Sequence, residues 1–235
     1  MSQTYVGGEL ELFADATRWK AYVAAVLRGF IGGRVLDVGA GIGSNVPFLH
    51  NPDVAEWVCL EPDAALARRI EQRIAAATLP PHCAVSVGTT ASLDPAAAFD
   101  TILYIDVLEH IADDAAELAR ARTHLVPGGH LVVLAPAHEF LFSPFDAAIG
   151  HYRRYSRARL AQLAPPRAAL VECAMLDSAG FFASLANRAV LSQRLPTPPQ
   201  IAFWDAWLVP LSRRLDALFG RRFGKTVVAI WRAEG

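Results

Sequence analysis

Residues 35–44, VLDVGAGIGS, decide the fold of this chain. The segment VLDV reads as a buried strand, runs directly into the glycine-rich segment GAGIG, and is followed by a helical pattern. Glycines at such a turn let the backbone approach a ligand where any side chain would clash. The stretch therefore predicts a ligand-binding loop between the first strand and the helix that follows it.

The spacing of the glycines separates two kinds of nucleotide-binding loop. Gly39, Gly41 and Gly43 give the pattern GxGxG, whereas the pyrophosphate-binding fingerprint is GxGxxG. Asp37 precedes the first glycine by two residues, where its carboxylate would repel a pyrophosphate and attract a cation. Glu61 ends the second predicted strand, 18 residues after Gly43, where an acid can accept both hydroxyls of a ribose. These residues indicate a nucleoside that carries positive charge, and S-adenosyl-L-methionine (SAM) fits them better than NAD.

Strand and helix patterns alternate on either side of this loop. Strands are predicted at residues 34–38, 57–60, 84–87, 99–105, 130–135, 168–176 and 225–231, and helices at 10–30, 63–77 and 113–125, with another starting at 45–49. Pro127-Gly128-Gly129 is predicted to be the turn before the fifth strand. The alternation predicts an α/β protein of Rossmann-like, doubly wound architecture, with seven strands, a mostly parallel sheet and an antiparallel last strand.

The alternation stops after residue 136. Residues 137–159 are rich in aromatic residues and arginine, and they are predicted to form a lid loop. Residues 181–220 are predicted to be an apolar helical insertion, or cap, in a single domain that spans residues 1–235. Three interpretations of this insertion stay open: packing on the sheet, a homodimer surface, or an access route for a lipid-like substrate.

Composition and charge exclude several classes of protein. The 235 residues are 53% hydrophobic, and 22 basic against 23 acidic residues give a net charge of −1, which argues against a nucleic-acid partner. No apolar run reaches the roughly 20 residues of a membrane span, and the N-terminus lacks the pattern of a secretory signal. The three cysteines form no CxxC pair. We expect a cytoplasmic protein with no membrane span.

Several segments together resemble the class I SAM-dependent methyltransferases of the small-molecule, methyltransferase type 11/12 kind. The resemblance extends over residues 10–231 and rests on VLDVGAGIG, LEPD at 60–63, FDTILYIDVLEHIADD at 99–114 and LVPGGHLVVLAP at 125–136. The segments GHYRRYSRARL at 150–160 and GKTVVAIWR at 224–232 resemble a bacterial subgroup of the same family. The resemblance implies SAM as cofactor and S-adenosyl-L-homocysteine (SAH) as product.

The resemblance also implies which residues hold the cofactor. They are Asp37, Gly39, Ala40, Gly41, Gly43, Glu61, Pro62, Thr89, Thr90, Ala91, Asp106, Val107 and Leu108. The glycine loop would hold the methionine part, Glu61 the ribose, and Thr89 to Ala91 the adenine. The family usually has an acid at the adenine position, so we expect a hydroxyl or backbone group to replace it. Tyr5 and Trp19 are expected to close over the cofactor.

Histidines near the predicted site are candidates for a general base. Methyl transfer is an in-line displacement that holds the nucleophile about 3 to 3.5 Å from the methyl carbon, and an oxygen nucleophile usually needs a base of near-neutral pKa. We predict that His151 and His110 are catalytic, the alternative being that His110 packs a helix start. The predicted substrate-binding residues, aromatic for apolar groups and basic for a carboxylate or phosphate, are His138, Phe145, Tyr152, Arg153, Arg154 and Tyr155. The alternative for this cluster is a solvated helix start that pairs with surface acids.

A metal is not expected, because the sequence offers no paired acidic ligands at helix or strand spacing. The sequence predicts O-methylation of a small molecule that is apolar with one anionic or polar group. Two alternatives stay open. The protein could bind SAM as a partner or sensor subunit without methyl transfer, or it could use SAM for a non-methyl transfer or a cyclisation.

Overall fold

The computed structural model of the chain describes residues 9–190 and 197–235, and one twisted sheet lies at its centre. Within these residues the sheet has seven strands in the order β3-β2-β1-β4-β5-β7-β6. The strands are β1 (Gly33–Val38), β2 (Val54–Glu61), β3 (Cys83–Val87), β4 (Phe99–Ile105), β5 (Leu125–Pro136), β6 (Ala168–Leu176) and β7 (Thr226–Ala233). The last strand, β7, runs antiparallel to both of its neighbours, whereas β1 to β5 pair in parallel. The predicted Rossmann-like fold is confirmed.

Helices cover both faces of this sheet. In the described residues they are α1 (Glu9–Ala14), α2 (Thr17–Leu27), α3 (Val46–Leu49), α4 (Ala64–Ala75), α5 (Asp114–Thr123), α6 (Pro144–Ala148), α7 (Arg157–Gln162), α8 (Ser178–Val190), α9 (Pro198–Phe203) and α10 (Val209–Leu218). Successive strand residues such as Val35 and Leu36 point to opposite faces and enter two separate hydrophobic clusters. Burial on both faces explains why the strands read as continuous apolar runs. The helix expected to start at residue 45 is the single turn α3.

The prediction of one helix over residues 10–30 is wrong, because the chain breaks between α1 and α2. Ala16 leaves the helical conformation, with φ −73° and ψ 66°, and its side chain cannot cap α2. The cap comes instead from Asp205, whose carboxylate accepts the backbone N–H of Arg18 at 3.1 Å and of Trp19 at 2.8 Å. A residue 186 positions away in the sequence therefore starts this helix.

The prediction that the fifth strand starts after Pro127-Gly128-Gly129 is also wrong. The strand β5 already begins at Leu125, which pairs with Phe99, while the next registered pair joins Thr101 to His130. The extra residues of β5 form a bulge. A Cβ at Gly129 would lie 2.8 Å from a backbone oxygen of β4, so the glycine permits the two strands to stay paired through the bulge.

Two segments of the second half of the chain, residues 137–159 and 181–220, are helical; the first was predicted to be a loop and the second to be helical. Residues 137–159, predicted to be a loop, contain a 3₁₀ turn, α6 and the start of α7. Residues 181–220 contain most of α8, then α9, a π-helical turn and α10, and α10 packs against α2 and α8. Residues 191–196 of this insertion and Tyr5 lie outside the described residues. Among the helices of the described ranges, none has the length and apolar character to cross a bilayer.

Candidate active site

The glycine loop after β1 is fixed by its own backbone and by an acid of β2. Gly39, Gly41 and Gly43 have φ of 66°, 60° and 69°, which favours glycine over any residue with a side chain. A Cβ at Gly39 would lie 2.8 Å from the side chain of Val107. The backbone N–H of Gly41 donates to the carboxylate of Glu61 at 2.7 Å. The loop therefore depends on its glycines and on the acid that ends the next strand.

Asp37 and Glu61 bring two buried carboxyl groups close to this loop. Burial raises the pKa of Asp37 to about 7, with the Trp57 indole lowering it and Glu61 raising it. The indole N–H makes no hydrogen bond of ordinary geometry within the described residues, so it offsets only part of the cost of burial. Burial also raises the pKa of Glu61, against the N–H groups of Asp63 and Gly41, which lower it. A cationic ligand would favour the charged form of both acids.

The predicted adenine position lies at the carboxyl end of β3. Thr89 and Ala91 are exposed there, whereas Thr90 is buried and donates its hydroxyl to Glu117 at 2.8 Å. The side chain of Thr90 is thus committed to the protein, and a ligand at this position would meet backbone groups and the Thr89 side chain. Pro62 is half-buried between β2 and α4.

A cavity of about 1240 Å³ opens at the carboxyl ends of β1, β4 and β5. The sheet order reverses direction between β1 and β4, and ligands of open α/β sheets bind at such a switch point. The predicted site residues that line the cavity are Gly39, Ala40, Gly41, Asp106, His110, Phe145, His151 and Arg154, together with Trp19. The structure thus brings the glycine loop and both candidate bases to one space.

The residues after β4 divide between this cavity and the core. Asp106 has φ 56° and its side chain is exposed to the cavity. Inside the cavity its carboxylate is shielded from bulk water. This desolvation raises the pKa of Asp106 to about 6, while His151 and Lys225 lower it. Val107 packs against Gly39, and Leu108 is fully buried. Asp106 is therefore the residue of this segment whose side chain faces the cavity.

His151 is held in one orientation by a buried carboxylate. Its Nδ1 lies 3.0 Å from Asp146, which also accepts hydrogen bonds from Arg154 at 2.9 and 3.0 Å and from the Ser143 hydroxyl at 2.7 Å. Burial would raise the pKa of Asp146, but the hydrogen bonds from His151 and Arg154 hold it below its ordinary value. Because a carboxylate only accepts hydrogen bonds, Nδ1 is the donor and Nε2 is left with a free lone pair.

Glu109 and His110 lie beside this histidine. The rings of His110 and His151 meet edge to face, with centroids 4.5 Å apart. Burial and the nearby His151 lower the pKa of His110 to about 4, so its ring is neutral at pH 7. Glu109 is fully buried, and neither of its carboxylate oxygens hydrogen-bonds to any residue in the described part of the chain. Burial, and after it Asp106, raises the pKa of Glu109 well above its ordinary value.

Four predicted substrate-binding residues point elsewhere. Arg153 forms an ion pair with Asp114 at 2.6 Å, and the buried Tyr155 donates its hydroxyl to Leu108 and Asp114. The Nε2 of His138 lies 2.9 Å from the Gly224 carbonyl oxygen, and Tyr152 is exposed. In the described structure these four side chains are absent from the cavity lining, which includes Phe145 and Arg154.

Sequence reasoning missed three charged groups of the cavity. The role of Asp146 becomes visible only in the structure, where α6 places it against His151. Lys20 and Lys225 are the two lysines of the chain, and both line the cavity. Burial lowers the pKa of Lys20 to about 8. Lys225 lies 4.3 Å from the centroid of the Trp204 ring. Their rarity among 22 basic residues was the one available signal.

Comparison with family models identifies the family of this chain. Residues 11–176 match the profile of a family described as a methyltransferase domain, which is more than half of the chain. A comparison with curated proteins finds no match.

Comparison of folds gives many matches, and the three that follow are each less than 20% identical in sequence. The (4+2)-cyclase SpnF is 17% identical, with a TM-score of 0.62 and coverage of 92% of this chain and 80% of that one. Coclaurine N-methyltransferase bound to N-methylheliamine and SAH is 14% identical, with a TM-score of 0.61 and coverage of 90% and 71%. A SAM-dependent methyltransferase from Clostridium acetobutylicum is 10% identical, with a TM-score of 0.57 and coverage of 94% and 93%. Likeness at this identity concerns the fold, and one fold can host different chemistries.

Proposed function

Because the chain belongs to the methyltransferase domain family, we propose that it transfers a methyl group from SAM to an oxygen of a small-molecule acceptor. The observation that carries the proposal is that the glycine loop and a correctly oriented histidine face the same cavity. The loop is suited to the cofactor and the histidine to the acceptor. The cavity that both groups line has a volume of about 1240 Å³, which is large enough for a cofactor and an acceptor together.

The residues around the loop fit SAM as the methyl donor. Each carboxylate oxygen of Glu61 accepts one backbone N–H, from Gly41 or Asp63, and keeps a second lone pair for a ribose hydroxyl. The charged form of Asp37 is costly in its buried position unless a cation such as the SAM ammonium or sulfonium lies near. When bound, SAM supplies a methyl carbon made electrophilic by its sulfonium. Trp19 would cover the cofactor from the cavity wall.

The cavity walls suit an apolar acceptor with one anionic group. The aromatic residues that line the cavity are Phe13, Trp19, Phe48, Phe142, Phe145, Phe203 and Trp204. Lys225 is the cation we assign to an anionic handle, because its ammonium faces the cavity over the Trp204 ring and its ion pair with Asp177, at 3.4 Å, is longer than the two hydrogen bonds that join Arg154 to Asp146. Arg154 is a weaker candidate since Asp146 already occupies its guanidinium. A carboxylate or phosphate is the expected handle.

His151 removes the acceptor proton in this proposal. Its Nε2 carries the lone pair, and Asp146 stabilises the imidazolium that forms when Nε2 takes a proton. The rest of the cavity positions the acceptor oxygen, which must lie about 3 to 3.5 Å from the methyl carbon and in line with the bond that breaks. Asp146 acts here as a positioning residue, and Ser143 and Arg154 hold it in turn.

Calorimetry tests the cofactor, and labelled SAM tests the reaction. We expect SAM and SAH to bind and NADH not to bind; binding of NADH without a response to SAM or SAH would contradict the proposal. Candidate acceptors are then incubated with methyl-labelled SAM. Label in the acceptor and SAH as the second product support methyl transfer. Mass spectrometry would reveal the alternatives: intact SAM beside a cyclised product, loss of the aminocarboxypropyl arm, or SAM binding with no product from any acceptor.

A further inference from the structure

Glu109 is a buried carboxyl group with no visible reason to be polar. Its side chain is fully buried at the cavity wall, and within residues 9–190 and 197–235 neither of its oxygens accepts a hydrogen bond of ordinary geometry; its own backbone N–H is near enough only to lower its pKa in part. A buried carboxylate without a partner is strongly destabilising. Such a group is retained either because it stays protonated or because a cation binds to it.

Two histidines stand where they could share that cation. Nε2 of His151 lies 3.8 Å from an oxygen of Glu109, and the His110 ring packs edge to face on the His151 ring. One ligand atom from each of Glu109, His110 and His151 can be chosen so that all three lie within 4.8 Å of one another. A single cation at about 2.0 to 2.2 Å from nitrogen and oxygen ligands brings tetrahedral ligand atoms to about 3.4 Å from one another, so the three side chains must move closer together to bind it.

The hydrogen bond between His151 and Asp146 also supports metal binding by this cluster. Histidines that bind metals almost always donate their other N–H to a carboxylate or carbonyl, which fixes the ring and raises the basicity of the binding nitrogen. Asp146 accepts from Nδ1 of His151 at 3.0 Å and is itself held by Arg154 and Ser143. The nitrogen left free is Nε2, which is the one that faces Glu109.

We infer that Glu109, His110 and His151 bind one divalent cation of the borderline class, such as Zn²⁺ or Mn²⁺, with an open coordination position toward the cavity. Two imidazoles and one carboxylate are the ligand set of open zinc sites, whereas Mg²⁺ and Ca²⁺ prefer sites made of oxygen. The charged groups around the site are Asp106, Asp146, Arg154 and Lys225. With Glu109, and with Asp177, which pairs with Lys225 at 3.4 Å, they give a formal charge of −2 that a cation would offset.

The role of the cation rests on the proposed function, but its binding does not. An acceptor hydroxyl at the open position would lose its proton to solvent and bind as the oxyanion, because a bound cation lowers the pKa of its oxygen ligands. With the cation bound, the Nε2 lone pair of His151 coordinates the metal and no longer takes the acceptor proton, so this role replaces that of His151 as the base while the methyl transfer stays the same. This explains the orphaned Glu109, which proton removal by His151 alone leaves without a role.

The test is metal binding by the full chain without SAM or acceptor. The protein is treated with a chelator, dialysed, and titrated by calorimetry with Zn²⁺, Co²⁺, Mg²⁺ and Ca²⁺. We expect one site for Zn²⁺ and Co²⁺, at least about 100-fold weaker binding of Mg²⁺ and Ca²⁺, and Co²⁺ absorption bands that indicate nitrogen ligands. Absence of a one-to-one Zn²⁺ or Co²⁺ site overturns the inference.

Variants separate this site from binding elsewhere on the surface. Glu109→Gln and His151→Asn should each weaken Co²⁺ binding by about 100-fold, and Asp146→Asn by about 10-fold to 100-fold. The matched control is His82→Asn. His82 is an exposed histidine directly before β3, outside the Glu109 cluster, and asparagine tolerates the positive φ of this position. Its Co²⁺ affinity should stay unchanged. Equal affinities in Glu109→Gln, His151→Asn and the parent protein would contradict the site.

Folding of the variants is measured in parallel. Glu109→Gln removes a buried unpaired carboxyl group, so without metal it should melt at the same temperature as the parent protein or higher. A structural role for Glu109 predicts the opposite, a lower melting temperature. Metal binding without methyl transfer would contradict the proposed function and support the metal site. Methyl transfer by a protein that binds no metal would support the proposed function and contradict the metal site.

Discussion

Asp37 is a single carboxyl group whose burial links protein stability to pH. Its pKa is raised to about 7 in the folded chain from the model-compound value of 3.8. Between these values the folded state keeps a proton that the unfolded state has released. The stabilising contribution is therefore complete below about pH 4 and is lost as the pH rises through about 7.

Asp37→Asn removes this pH dependence. We expect the free energy of unfolding of the parent protein, relative to this variant, to fall by about 2.7 kcal/mol between pH 5 and pH 8. Urea unfolding at several pH values measures the difference. Glu71→Gln, at an exposed position of α4, is the control for a change from carboxyl to amide. A constant difference between the parent protein and Asp37→Asn at all pH values would show that Asp37 is charged throughout.

His151 and Asp146 test the proposed chemistry at the scale of a residue. His151→Ala removes the nitrogen that takes the proton, so we expect kcat to fall by about 10²-fold to 10⁴-fold. Asp146→Asn keeps the shape but offers Nδ1 an amide donor that favours the wrong tautomer, so kcat should fall in the same direction. The measurement is the rate of label transfer at saturating SAM. SAM affinity unchanged in both variants is the control, and full activity in His151→Ala would contradict its role as base or ligand.

At the scale of the element, the cap is joined to the N-terminal helices through buried acids rather than through apolar contact alone. Asp205 supplies the N-cap of α2, and Asp177 accepts hydrogen bonds from Trp204 and Ser212. Asp216 of α10 accepts the Tyr22 hydroxyl at 2.9 Å. These contacts fix the cap against α2, and the three interpretations of residues 181–220 stay predictions.

Asp216→Ala should loosen this arrangement. The change leaves the Tyr22 hydroxyl and the backbone N–H groups of Asp177 and Ser178 without their acceptor. We expect the free energy of unfolding to fall by about 3 kcal/mol, because each lost partner costs about 1 kcal/mol or more. Urea unfolding checks the value. Glu172→Ala, which removes a half-buried ion pair with Arg221, should cost less than about 1 kcal/mol; equal losses in both variants would contradict the network.

At the scale of the whole molecule, three parts of the chain line the cavity: the carboxyl ends of the strands, the segment after β5 and the cap. A ligand that binds only the folded chain stabilises all of them together. We expect SAH at 100 times its dissociation constant to raise the free energy of unfolding by about 2.7 kcal/mol. A rise in melting temperature that increases with the logarithm of SAH concentration is the measurement. NADH at the same concentrations is the control, and an equal response to both would contradict a specific site.

Self-association is a further property of the whole molecule. Phe203, Trp207 and Leu218 of the cap are exposed to 57%, 70% and 75%. The homodimer expected through residues 181–220 stays a prediction, as does the cytoplasmic location. Sedimentation at several protein concentrations would detect the dimer.

The sequence by itself determined the fold and the cofactor loop, because both depend on local patterns. Apolar runs at regular intervals specify a parallel sheet buried on both faces, and GxGxG with Asp37 and Glu61 marks where its first strands end. Backbone conformation at Gly39, Gly41 and Gly43 follows from residue type alone.

Only the tertiary structure decided which side chains reach the cavity. Arg153 and Arg154 are neighbours in sequence, yet one pairs with Asp114 and the other with Asp146 beside the cavity. The cap of α2 comes from Asp205, and the Glu109 cluster joins residues some 40 positions apart that share no local pattern. Contacts of this kind depend on how helices and strands pack. Packing brings together residues that are far apart in the sequence, and no local sequence pattern predicts which of them will meet.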